Sequence, residues 1–178
     1  MKTLVLFLAA IFGLVWGVPA PAVTPSNVQL NYIHPERFTD FRLQGRSASE
    51  SVGIFSSNAS PPLSRELARR LPGARLTLTF TDIDLAGRYE PWRGPRFFDT
   101  RFYRDSTPLR LDFQYALTAG AGGTLMASGT ARVYEAYYQY FDVGARIAEN
   151  TNPAYYETRA LQRWLDRLIR RVRVSGAR

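Results

Sequence analysis

The 178-residue chain contains no cysteine and one histidine, His34, and its only lysine is Lys2. Each scarcity excludes chemistry. Without Cys there is no disulfide, no thiolate nucleophile and no Cys-ligated zinc or iron–sulfur centre. One His removes most of the remaining transition-metal and His-triad chemistry. His34 stands directly before Pro35 and reads as a turn residue rather than a base. Neither a G-x-S-x-G elbow nor an S-x-x-K pair occurs, so a serine hydrolase has no support. Gly120, Gly122 and Gly123 lie between two strand patterns with no helix after them, so they do not form a phosphate-cradling loop.

What is present suits one compact domain. At 46% hydrophobic and 21% charged, the chain has enough apolar material for a core and is neither a coiled coil nor wholly disordered. Its 23 basic residues outweigh 15 acidic ones for a net charge of +8, and 22 of the 23 are arginine. That bias suits guanidinium chemistry, and codon usage in a GC-rich genome would also produce it.

Residues 1–22 have the order of a secretory signal peptide: Lys2, an apolar run from Leu4 to Trp16, then small residues and prolines. Ala20 and Ala22 supply the small residues that cleavage after Ala22 requires, leaving Val23 as the first residue. The alternative is a retained anchor, since Leu4 to Ala22 nearly reaches the roughly 20 residues of a span. Cleavage leaves residues 23–178 as a single α+β domain with a net charge of +7, because Lys2 goes with the leader. The expected location is periplasmic, with membrane contact only before cleavage or peripherally.

Val28, Leu30 and Tyr32 alternate with polar neighbours as a half-buried strand does. Residues 46–60 are Ser-rich and predict a loop, followed by a short helix capped by Ser60, with Leu63, Leu67 and Leu71 on one face and Pro72-Gly73 as its stop. In Arg75–Leu85 the apolar parity switches between Phe80 and Ile83, which predicts a bulge at Thr81-Asp82. Phe97–Arg104 is expected to return as a strand. Leu109–Leu117 and Leu125–Val133 alternate around a Gly-rich connection and predict a hairpin whose second strand has small residues where a helix would approach. The run YEAYYQYFD continues that strand or bends away from it. Asn152 and Pro153 open a long C-terminal helix, with Leu161, Trp164, Leu165, Leu168, Ile169 and Val172 as its apolar stripe. The fold class is therefore α+β: an antiparallel sheet of four to five strands, with a short helix and a long C-terminal helix on one face.

The run LPGARLTLTFTDIDLAGRYEPWRGP, with Pro35-Glu36-Arg37-Phe38-Thr39-Asp40 upstream, resembles the domain of unknown function (DUF) family 3016, small exported proteobacterial proteins. The similarity extends from about Val28 to the last helix and is most specific over Thr81–Gly87. It implies a periplasmic setting and brings no reaction with it. The family pattern has a longer helix where this chain is Ser-rich before Leu63, an expected departure.

Two clusters are candidates for chemistry. Asp82 and Asp84, with Asp99 and Glu90 nearby in sequence, could share a proton, hold a hard cation or act as acid and base. The plainer alternative is that Asp82 stabilises the bulge through backbone hydrogen bonds. Arg88, Trp92, Arg93, Arg96 and Arg101 are interleaved with Tyr89, Phe97, Phe98, Phe102 and Tyr103, which suits phosphate, carboxylate or sugar-anion ligands. Arg–Asp pairing around a packed loop is the alternative. Asp82, Asp84, Arg88, Trp92, Arg93, Asp99 and Arg101 form the candidate surface, with no catalytic residue, metal or cofactor assigned. The expectation is a non-enzymatic binding or accessory module of the cell envelope, whose partner is an envelope protein or anionic ligand and not nucleic acid. The alternatives are a carboxylate-dependent hydrolase using Asp82 and Asp84, and Arg-driven binding of anionic envelope components.

Overall fold

A computed structural model describes residues 26–43, 45–120, 123–138 and 152–175. The expected signal peptide lies outside these residues, as do the last four residues of YEAYYQYFD, whose first two continue the last strand. The alternating segments form a four-stranded sheet in the order β1 (Val28–Tyr32), β2 (Arg75–Asp84), β5 (Leu109–Ala119), β6 (Thr124–Glu135). A two-stranded ribbon pairs β3 (Arg88–Tyr89) with β4 (Arg101–Phe102). β2–β5 and β5–β6 are antiparallel, while β1 runs parallel to β2, a pairing that alternation alone does not reveal. The expected strand over Phe97–Arg104 shrinks to β4, because Pro95–Phe97 turns as a 3-10 segment.

The bulge lies where the parity switch placed it, between Phe80 and Asp82. With Thr81 bulged out, Leu76, Leu78, Phe80 and Ile83 all reach the core and are fully buried. Gly129 of β6 faces Tyr115, whose ring contacts a Cβ built there at 3.4 Å and also packs edge-on against Trp164, 5.2 Å away. The small residues of β6 thus admit a large ring pair between sheet and helix.

The Ser-rich segment is helix. α1 spans Ala48–Arg70, so neither a loop over 46–60 nor a helix starting at Ser60 exists, and the expected departure from a longer helix is absent. Ser47 is the N-cap: its side chain accepts from Glu50 N while the Glu50 carboxylate accepts from Ser47 N, a reciprocal capping box. Ser51, Phe55, Ala59, Leu63 and Leu67 recur every fourth residue and are the buried face. Pro61 and Pro62 sit inside the helix. The carbonyls they leave without an i+4 donor belong to Ser57, which is exposed, and Asn58, which is half-buried, so the helix continues past them.

The C-terminal helix α2 spans Tyr155–Ser175. It starts two residues after Pro153, and Asn152 caps the preceding turn by accepting from Ala154 N at 2.9 Å. Leu161, Trp164, Leu165, Leu168 and Ile169 are buried as expected, and Val172 is partly buried. Ser51 and Phe55 line one small cavity with Ala154, and Arg70 pairs with Asp166, so α1 and α2 run side by side in the same direction. Both cover one face of the sheet, around a single cluster of buried rings and aliphatic side chains. Phe113 meets Trp164 edge-on at 4.9 Å, and Phe80 joins Phe113 to Phe55, Phe41 and Tyr32.

Candidate functional site

The end of β2, the segment before α1 and the ribbon converge. Asp40 forms an isolated parallel bridge with Asp84: its N–H donates to Ile83 O and its carbonyl accepts from Leu85 N. The Asp40 and Asp84 carboxylates thereby face the ribbon. Arg88 Nη1 donates to Asp40 Oδ2 and Asp84 Oδ1, both at 2.7 Å. Arg101 reaches Asp40 Oδ2 from the other ribbon strand at 2.5 Å, and its Nε donates to Ala86 O at 2.6 Å. The Arg101 side chain is only 7% exposed.

Two carboxylates and two guanidiniums thus neutralise one another, with Arg101 desolvated and Arg88 still 37% exposed. Removing one partner of a buried pair such as Arg101–Asp40 typically costs about 3–5 kcal/mol, because the other charge is left buried. Burial pushes the Asp40 carboxyl above its ordinary value against the pull of Arg101 and Arg88. Hydrogen bonding to Asp84 holds the Arg88 guanidinium more firmly protonated than usual. Arg101 Nη1 is buried without a hydrogen-bond partner among the described residues, and the Tyr89 ring lies 5.0 Å from the guanidinium carbon.

Asp82 is bound elsewhere. Its Oδ1 accepts from Thr39 N and its Oδ2 from Thr39 Oγ1, both at 2.7 Å, and Arg110 reaches Oδ2 at 2.5 Å. Burial raises this carboxyl, but the Thr39 hydrogen bonds and the Arg110 charge outweigh that and hold it below the ordinary range. Asp82 and Asp84 therefore share a side of the strand without sharing a ligand. Each would have to release a guanidinium before holding a cation or a proton jointly. Among the described residues no group of three or more His, Asp or Glu side chains is placed to hold a metal ion.

The loop above this network carries the remaining candidates. Gly87 opens it at φ 74°, where a Cβ would stand 2.6 Å from Phe102 O, so only glycine lets the two ribbon strands approach this closely. Glu90, 6% exposed, accepts from Arg93 and, at 3.0 Å, from Arg104. Arg93 also lies over the Phe102 ring at 4.6 Å, and Phe102 packs on Phe97 at 5.8 Å. Trp92, held between these fixed points, is 77% exposed. Asp99 is exposed and apart from the other carboxylates, at the rim of a cleft of about 410 Å3 formed with Leu43, Tyr89, Arg101 and Tyr103.

Sequence reasoning did not single out Asp40, Arg104, Arg110 or Glu157, and it placed Glu90 with Asp82, Asp84 and Asp99 rather than with Arg93 and Arg104. Glu157, at the start of α2, is 2% exposed, and its Oε1 accepts from Ala86 N at 2.7 Å. Burial pushes its carboxyl above the ordinary range, against the pull of that hydrogen bond. The helical register could have exposed Glu157: it falls one turn before Leu161, on the buried stripe.

No curated protein and no solved structure matches the chain. A family model, protein of unknown function (DUF3016), matches residues 26–167, which span every element described here except the last turns of α2. The chain belongs to this DUF3016 family.

Proposed function

We propose that the protein is a non-enzymatic binding or accessory module of the bacterial cell envelope, exported to the periplasm by cleavage after Ala22, and that the loop from Gly87 to Arg96 is its contact surface. The observation that carries this reading is Trp92, 77% exposed on a loop whose base is bolted down. Arg88 and Arg101 tie the ribbon to Asp40, and Glu90 ties Arg93 to Arg104. A large apolar ring that water would otherwise expel is thus held out by ordered neighbours. Such preorganisation lowers the entropic cost of binding, and Trp is among the residues most enriched at binding hot spots.

The carboxylates argue against hydrolysis. Asp82 and Asp84 are committed to different guanidiniums, so no pair is poised for acid and base roles. A hydrolytic screen on the purified protein should therefore give no turnover. Turnover abolished by Asp84→Asn would replace the binding reading with the carboxylate one.

The direct test of the surface is Trp92→Ala, which leaves the Glu90 contacts intact, unlike any change at Arg93. The variant is expected to retain the wild-type melting temperature and lose the partner recovered with the wild-type protein from periplasmic extract. Unchanged recovery would remove the loop from the account. The mass of the protein recovered from that fraction tests export, with a start at Val23 expected and an intact leader contradicting it.

A further inference from the structure

The sheet has two unlike edges. β1 closes one side with five residues, and His34, held at φ 54°, turns the chain away into the 3-10 segment that Pro35 opens. β6 closes the other side with twelve residues, Thr124–Glu135, and pairs with β5 alone. Among the described residues no strand runs along its outer edge. Long edge strands are normally guarded by proline, lysine or an inward-pointing charge, because their unpaired N–H and C=O groups offer a template to another strand. β6 contains neither proline nor lysine. Its one irregularity in register lies near its start, and its one interior charge, Arg132, is bound to Asp112 of β5.

The apolar side chains that this strand exposes stand at its two ends. Leu125 and Tyr134 are each 59% exposed, and Met126 beside Leu125 is exposed as well. Tyr134 lies opposite Arg110 and Leu125 opposite Thr118, positions of β5 that share the outer face with Gln114. Both apolar ends therefore project from the face that the helices leave uncovered. Tyr134 comes four residues after Thr130, and Met126 four before it. Two copies of β6 laid antiparallel about a two-fold axis at Thr130 thus set Tyr134 of each against Leu125 and Met126 of the other, and Arg132 against Ser128. No like charges meet in that register.

We infer that β6 is a self-pairing edge on which a second copy of this chain docks, antiparallel about Thr130, joining two four-stranded sheets into one of eight. An unrelated extended peptide would use the free backbone of β6 but has no reason to match its side chains. The apolar ends of β6 complement each other, which is the self-complementarity that a two-fold contact requires. β1, with five residues, offers no second edge of comparable length, so assembly closes at two copies. None of these residues belongs to the loop from Gly87 to Arg96, and loss of either contact leaves the other in place.

The test is sedimentation equilibrium of the purified protein over roughly 10–500 μM. The expected result is a reversible equilibrium whose mass rises toward that of two chains. Leu125→Glu with Tyr134→Glu sets like charges against each other across the axis while lowering the net positive charge of the protein, so general repulsion falls. This variant should nevertheless dimerise roughly tenfold more weakly than wild type, because the axis doubles every lost pair. Leu125→Lys with Tyr134→Glu opposes unlike charges and should dimerise at least about fivefold more tightly than the first variant. Both positions are exposed, so wild-type melting temperatures are expected for both variants. The mass of one chain at every concentration would overturn the inference and leave the edge to a strand of another protein. Dimerisation unchanged in both variants would overturn it by placing the contact elsewhere. Equal weakening in both would overturn the antiparallel register, and growth beyond two copies would overturn it in favour of a head-to-tail contact.

Discussion

Glu157 and Asp40 are the residues on which the site most depends. Glu157 sits beneath the loop with its carboxylate on Ala86 N, and the proton it holds in the fold is bound more tightly than in an unfolded chain. Its stabilising contribution is therefore complete below about pH 4.3, where both states are protonated, and is lost as pH rises through the raised native value. Glu157→Gln keeps an acceptor for Ala86 N and removes the ionisation. The variant should gain melting temperature over wild type at pH 7.5 and show a smaller gain at pH 4.5. An equal or larger gain at pH 4.5 would contradict the assignment. Partner spacing explains which of these residues the sequence disclosed. Arg88 and Asp84 are four apart and were singled out together, while Asp40 lies 48 residues before Arg88 and 61 before Arg101. A carboxylate whose partners are that distant looks like any surface acid until the chain is folded.

At the scale of elements, periodicity decided what could be read. The hairpin β5–β6 and the stripe of α2 follow strict alternation and helical spacing, and both form as those patterns require. α1 was hidden because two of its five buried positions are Ser51 and Ala59, which composition reads as loop, and because Pro61-Pro62 imitates a helix start. The S-x-x-E box at Ser47–Glu50 was the available signal. Two changes with opposite signs test this helix in urea unfolding. Ser47→Ala removes the cap and should cost about 1 kcal/mol. Pro61→Ala restores a backbone donor at an exposed interior position and should stabilise, by up to about 3 kcal/mol. Stabilisation by Ser47→Ala, or destabilisation by Pro61→Ala, would contradict the continuous helix. The ribbon stayed unread for another reason: two-residue strands carry no period, and β3 and β4 exist through the close approach at Gly87 and the arginine contacts beneath them.

For the whole molecule, arginine is the main cation and its uses are divided. One group is consumed inside: Arg88 and Arg101 hold the ribbon on Asp40 and Asp84, Arg110 binds Asp82 between neighbouring strands, and Arg93 binds Glu90 within the loop. Another stands along α1 and α2, where Arg69, Arg70 and Arg170 bind Glu66 and Asp166. The carboxylates held below their ordinary values, Asp82, Glu66 and Asp166, give stability that is full above about pH 4 and lost as pH falls through those lowered values. Acid unfolding should therefore begin only below about pH 4, and unfolding already under way at pH 5 would contradict these pairings.

The central claim is that the arginine-pinned loop holds Trp92 out for a partner, and crosslinking in the cell tests it most directly. A photoreactive phenylalanine analogue, which keeps a large aromatic ring at the position, replaces Trp92 in one strain and Gln114, exposed on the outer face of the sheet, in another. The account predicts a discrete crosslinked band from position 92 that position 114 does not give. No band from position 92, or the same band from both positions, would contradict it.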